Sequence, residues 1–147
     1  LGAYWTPLEA VILDADYSWS HARFTEYDPA GDYIPGAVET VVSVGLSVQR
    51  DTGWFGGARW RYFGPAPLIE DNSVRSHSTS TVNAQAGYRF SPRLSVMASV
   101  FNLFDADAND ISYFYESQLP NESQPVADIH FHPAEPRTLR VAATVRF

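Results

Sequence analysis

The chain has 147 residues, 45% of them hydrophobic and 14% aromatic against 18% charged. That balance is apolar enough to fold and too rich in aromatics for a disordered segment. Ten basic residues against seventeen acidic ones give a formal net charge of -7, and every basic residue is Arg, so no nucleic-acid partner is expected. With no Cys, disulfides, thiolate metal sites and cysteine nucleophiles are excluded together. No GxSxG elbow and no phosphate-binding glycine loop occur, so neither an enzyme nor a cofactor is expected.

The chain opens on Leu1-Gly2-Ala3-Tyr4, without an initiator Met, a basic leader or an apolar leader. It is therefore expected to be either a processed protein or a piece of a longer one, the piece being the favoured reading. No stretch reaches the roughly 18 uninterrupted apolar residues of a spanning helix, which leaves spanning β-strands open.

Alternation with period two is the dominant local pattern. After a short stub over residues 1–5, Val11, Leu13, Ala15, Tyr17 and Trp19 share one face, with Asp14, Asp16, Ser18 and Ser20 on the other. From Val38 to Gln49, Val42, Val44, Leu46 and Val48 oppose Ser43, Ser47 and Gln49. Trp54, Ala58, Trp60 and Tyr62 oppose Arg59 and Arg61, after a start weakened by Gly56 and Gly57. Val82, Ala84, Ala86, Tyr88 and Phe90 then oppose Thr81, Asn83, Gln85 and Arg89. Leu94, Val96, Ala98 and Val100 oppose Ser95, Met97 and Ser99. The last segment sets Leu139, Val141, Ala143, Val145 and Phe147 against Thr138, Arg140, Thr144 and Arg146. The reading is about six strands plus the stub.

Short connections (6–9, 50–53 and 91–93) alternate with long ones (25–37, 64–79 and 105–136), and eight of the ten prolines fall in the long ones. Tight turns at one end and long loops at the other predict an all-β, antiparallel up-and-down meander. Aromatics gather near strand ends on the apolar face while Val, Ala and Leu fill the middles, the layout of interfacial girdles around a hydrocarbon band. The charged face suits a hydrated lumen, so the expectation is part of a transmembrane β-barrel; a soluble β-sandwich or ligand-binding barrel is the competing arrangement.

FNLFD at 101–105, the long loop after it and EPRTLRVAATVRF at 135–147 resemble the C-terminus of TonB-dependent outer-membrane receptors. YIPGA at 33–37, YFGP at 62–65, DISYFYESQLPNE and HFHP extend the resemblance over nearly the whole chain. It implies the C-terminal strands of a barrel of about 22 strands, with the N-terminal plug and the TonB-contacting segment lying elsewhere. The implied function is TonB-dependent uptake of a nutrient such as an iron-siderophore. The implied partners are outer-membrane lipid, the rest of the barrel and plug, the TonB complex and a small-molecule ligand, in the bacterial outer membrane. Phe147 resembles the terminal signal read during barrel assembly. A complete small outer-membrane barrel with a structural or adhesive role is the alternative.

Three sets of residues are candidates for chemistry. Tyr113 and Tyr115, with Phe114 between them and Arg75 and Arg137 in neighbouring outer segments, could meet an aromatic or anionic ligand; the alternative is a loop core with an aromatic girdle. His130 and His132, two apart, project to one side of an extended segment, where Asp128 could join them as a metal ligand; the alternative is a loop-packing element. Asp105, Asp107, Asn109 and Glu116 have the spacing of a calcium loop, but Asp110 stands where that loop needs Gly. His21 and His77 receive no assignment.

Overall fold

The structure, a computed structural model, describes residues 1–26 and 28–147. Its strands are β1 (Gly2–Leu8), β2 (Val11–Trp19), β3 (Thr40–Val48), β4 (Gly53–Phe63), β5 (Thr79–Ser91), β6 (Leu94–Phe101), β7 (Asn109–Ser117), β8 (Val126–Pro133) and β9 (Thr138–Val145). Seven form one antiparallel sheet in the order β1-β2-β3-β4-β5-β6-β9, and β7 pairs with β8 alone. The up-and-down meander is therefore present.

Two expectations change. The stub is a full strand, paired from Gly2 opposite Asp16 to Leu8 opposite Val11. The connection 105–136 is no irregular loop, because it carries the β7–β8 hairpin. In β7 Tyr113 and Tyr115 alternate with Phe114, which leaves no clean apolar flank, and in β8 Ile129 and Phe131 alternate with His130 and His132 over only a few residues. A strand wet on both sides gives no period-two signal to read.

Register joins the apolar faces into one surface. Leu13 lies opposite Leu46, Leu46 opposite Ala58, Ala58 opposite Ala84 and Ala84 opposite Val100, which faces Leu139. Because side chains alternate faces along each strand, this register puts every apolar set on the same side. That side is open: Val141 is 68% exposed, Leu139 66% and Trp54 67%. Aromatics rim it at both ends. Trp54 meets Tyr88 edge-on at 5.2 Å, and Tyr88 meets Phe90 at 4.9 Å, at the tight-turn end. Toward the loop end Trp60 lies 6.3 Å from Tyr62 and donates its indole N–H to Ser80 Oγ at 2.9 Å.

The opposite face is polar and cross-linked. Arg59 reaches over Gly45 to the Asp14 carboxylate (2.7 Å) and donates to Ser43 Oγ (2.8 Å). Gly45 lies opposite both Asp14 and Arg59, and a Cβ there would stand 2.5 Å from both Asp14 Oδ1 and Arg59 Nη2. The glycine is the gap through which the ion pair closes.

Buried apolar side chains lie away from the sheet's apolar face. Among the described residues Ala66, Pro67, Leu68 and Ala108 have the buried apolar side chains, all in the long connections. The segment 64–78 folds on itself: Leu68 N–H donates to the Val74 carbonyl, and Ser76 N–H to that of Ala66. It also grips the first long connection, with Tyr33 N–H donating to Glu70 O at 3.0 Å and Gly36 N–H to Pro67 O at 2.8 Å. Gly31, at φ +124°, lies so close to the Glu70 carbonyl that no side chain fits there. The two long connections thus form one small packed unit over the sheet's end.

Candidate functional site

The polar face and the loop unit enclose a cavity of about 500 Å³. Arg61 (β4), Thr81 and Asn83 (β5) line it from the sheet, and His77, Asp110 and Ser112 from the connections. Phe63 and Phe101 reach it from the polar face, where the alternation would place polar groups, and they give the cavity an aromatic lining at the loop end. Arg61 has no carboxylate within ion-pair distance among the described residues.

One buried polar residue organises the floor. Asn102, 5% exposed at φ 47°, donates from its amide to the carbonyls of Ala106 (2.9 Å) and Glu135 (3.2 Å). It accepts from Ala106 N–H at 2.9 Å, and its own N–H donates to Asn83 Oδ1. Every polar atom of the side chain is used, as burial demands. Asp105, also left-handed at φ 54°, accepts from the Arg137 N–H at 2.9 Å. FNLFD is thus a latch: it turns the chain out of β6 and ties it to the segment that returns into β9.

The candidate residues separate into two groups. Arg75 is engaged, donating to Asn72 Oδ1, Glu39 Oε2 (2.8 Å) and the Pro65 carbonyl (3.0 Å). Arg137 lies 3.7 Å from Asp105 Oδ2 at the base of the last connection. The partners of both are groups of the connections, and each pins a loop. Tyr113, Tyr115, Asp128, His130 and His132, by contrast, come together on one face of the hairpin, with Tyr113 opposite His130 and Tyr115 opposite Asp128. Tyr115 stacks on the His130 ring at 3.9 Å and 13°, and Tyr113 meets His132 edge-on at 6.5 Å. His130 Nε2 shares a 3.2 Å hydrogen bond with Ser117 Oγ, and Asp128 Oδ1 accepts from Ile129 N–H. Among the described residues no three His, Asp or Glu side chains are placed to hold one metal ion, so neither the histidine pair with Asp128 nor Asp105, Asp107 and Glu116 forms such a cluster.

Asp71, in the turn of the second long connection, has its carboxyl displaced from the ordinary value. Hydrogen bonds from the Ser73 backbone, then from its side chain, hold the carboxyl below its usual range, in the turn where Asn72 is left-handed (φ 60°).

Sequence reasoning missed the cavity. Arg61, Thr81 and Asn83 were legible as polar-face residues, but His77 and Ser112 reach it only through the folding of the connections. What the site offers is shape, aromatic surface and hydrogen-bonding groups, which is equipment for binding.

An open antiparallel wall with an apolar band, aromatic rims, a charged inner face and long loops at one end is the architecture of an outer-membrane barrel segment. Residues 1–103 match the family described as TonB dependent receptor-like, beta-barrel. The match covers most of the chain, and the protein belongs to that family. The family is one of receptors and transporters, not of enzymes. No match to a curated protein was found.

Proposed function

We propose that this chain supplies the C-terminal wall and outer loops of a receptor in the bacterial outer membrane, one that takes up a small-molecule nutrient with energy delivered through the TonB complex. In this reading the apolar band meets lipid, the tight turns face the periplasm and the long connections face outward. The outer edges of β1 and β9, which pair with no further strand among the described residues, join the remainder of the barrel, whose lumen holds the plug. Phe147, beyond the end of β9, serves as the assembly signal.

The observation that carries the proposal is the 500 Å³ cavity between the polar face and the long connections, a volume within the roughly 300–1,000 Å³ of small-molecule sites. The hairpin face of Tyr113, Tyr115, Asp128, His130 and His132 provides a second contact surface, suited by its aromatic and imidazole groups to a flat ligand or a metal chelate such as an iron-siderophore. Arg75 and Arg137 act on the ligand indirectly, by holding the loops.

The test is growth of cells that depend on the full-length receptor, supplied separately with a ferric siderophore, haem, cobalamin or an oligosaccharide, with and without TonB. Growth on one of these is expected to require TonB and to fall at limiting concentration in Arg61→Gln and in Tyr113→Ala/Tyr115→Ala. Uptake that is indifferent to TonB, or unaffected by all these substitutions, would overturn the proposal.

A further inference from the structure

Charge is sorted along the wall. The connections at the loop end (20–39, 64–78 and 102–137) hold thirteen of the seventeen acidic residues but only three of the ten arginines. Those three are all spent on carboxylates: Arg23 on Asp32 at 2.8 Å, Arg75 on Glu39 at 2.8 Å and Arg137 on Asp105 at 3.7 Å. At the tight-turn end the balance reverses. Arg50 in the β3–β4 turn, Arg89 on β5, Arg93 in the β5–β6 turn and Arg146 after β9 follow one another along the rim. Hydrogen bonds tie them in pairs: the Arg89 guanidinium donates through Nη1 to the Arg50 carbonyl, and the Arg146 backbone N–H to the Arg93 carbonyl at 2.9 Å. Among the described residues none of the four is within ion-pair distance of a carboxylate, although Asp51 lies in the same turn as Arg50 and Glu9 in the β1–β2 turn.

Three of these arginines converge on one place. Arg89, Arg93 and Arg146 line an open recess of about 670 Å³ with Phe55, Met97 and Asp51. Phe55, Met97 and Arg89 belong to the polar face, since they alternate with Trp54, Val96 and Tyr88 of the apolar band. The recess therefore opens to the inside of the wall, away from lipid. Arg89 lies 5.0 Å from the Phe55 ring, which keeps its guanidinium beside the recess. Unpaired, weakly hydrated guanidiniums around an aromatic floor form a surface made for carboxylates, which Arg grips in bidentate fashion.

We infer that the inner mouth of this wall is a docking surface for a polypeptide segment rich in Asp and Glu, which neutralises Arg89, Arg93 and Arg146. Charge complementarity points to that occupant, and the setting inside the wall favours it over lipid phosphate. A recess of this size holds several residues of chain, more than a single small anion fills. The inference rests on the barrel-wall fold and is independent of which nutrient is carried.

The composition of the chain makes a direct test possible. All ten basic residues are Arg, so a Lys introduced here is the only side-chain amine in these 147 residues. Arg93→Lys and Arg146→Lys, each in the full-length receptor in native membranes, keep the positive charge. Carbodiimide then joins the new amine, with loss of water, to a carboxylate in direct contact, and peptide mass spectrometry locates the bond. The expected result is a cross-link to one Asp- or Glu-rich segment outside residues 1–147, the same for both variants and lost above about 0.5 M salt, where the screening length is a few ångströms. Charge reversal in Arg89→Glu/Arg93→Glu, in barrels shown to be folded by resistance to denaturation, is expected to expose that segment to protease at least tenfold faster. Cross-links confined to Asp51 or Glu9, no cross-link at all, or retention of phosphatidylglycerol in place of a peptide would each overturn the inference. Loss of uptake with the cross-link intact would count against the uptake proposal alone.

Discussion

The seven-stranded wall and the structure at its loop end follow opposite rules. In the wall, large apolar side chains such as Val141 and Leu139 lie open while Arg59 and Asp14 pair on the other face. In the segment 64–78 at the loop end, apolar Ala66, Pro67 and Leu68 are buried as in a water-soluble protein, although Phe104 and Leu119 of the last connection stay exposed. The two regions face different solvents. Where acyl chains are the solvent, nothing is gained by hiding Val or Leu, and the backbone must be satisfied by strand pairing alone. Where water is the solvent, burying apolar side chains is favourable, and the segment 64–78 folds around its own.

Substitutions that respect one rule and violate the other should separate the regions. The largest effect is expected from Arg at Ala84 or Ala143 on the apolar band, costing about 2 to 4 kcal/mol at mid-membrane depth. Arg at Asn83 or Thr144 on the polar face is expected to be tolerated. Membrane insertion of the full-length receptor, read by heat-modifiable mobility and surface labelling, checks this; equal damage on both faces would refute the facing. Next is Asn102→Ala at the junction of the regions, expected to cost about 2 kcal/mol by leaving the Ala106 N–H and the Ala106 and Glu135 carbonyls unpaired. Faster proteolysis of residues 105–136 with the barrel intact would show that the latch serves the loops and not the wall.

Gly45→Val tests the wall's polar face, where the added side chain must push Arg59 off Asp14. A loss of roughly 1 to 2 kcal/mol in urea unfolding is expected. In Arg59→Gln the same valine should cost less, since the pair is already gone. Arg75→Ala should cost about 1 kcal/mol, confined to the loop end, because a half-exposed ion pair is screened.

The smallest effect concerns Asp71. Its carboxyl is held below the usual range in the folded loop, so its contribution to stability is present above the unfolded value and disappears as pH falls through the folded one. Amide exchange at Ser73 should quicken only below about pH 4. Asp71→Asn should lessen that dependence, and an unchanged profile in this variant would show that another group is responsible.

Much of the wall was legible in the residues themselves. Period-two alternation identified six strands and their faces, and the alternation of short and long connections identified the meander, because a strand between two different solvents must write that difference into every second residue. Tyr113, Tyr115, His130, His132 and Asp128 were legible as chemically capable, and FNLFD as distinctive, but not as a shared face or a latch. Those depend on the register of β7 with β8 and on the left-handed turns at Asn102 and Asp105. Nor could local sequence show that Arg75 belongs to Glu39, 36 residues away, or that His77 and Arg61 border one cavity. Each strand carries its own solvent preference in its own side chains, whereas a contact between distant connections exists only once the sheet has brought their ends together.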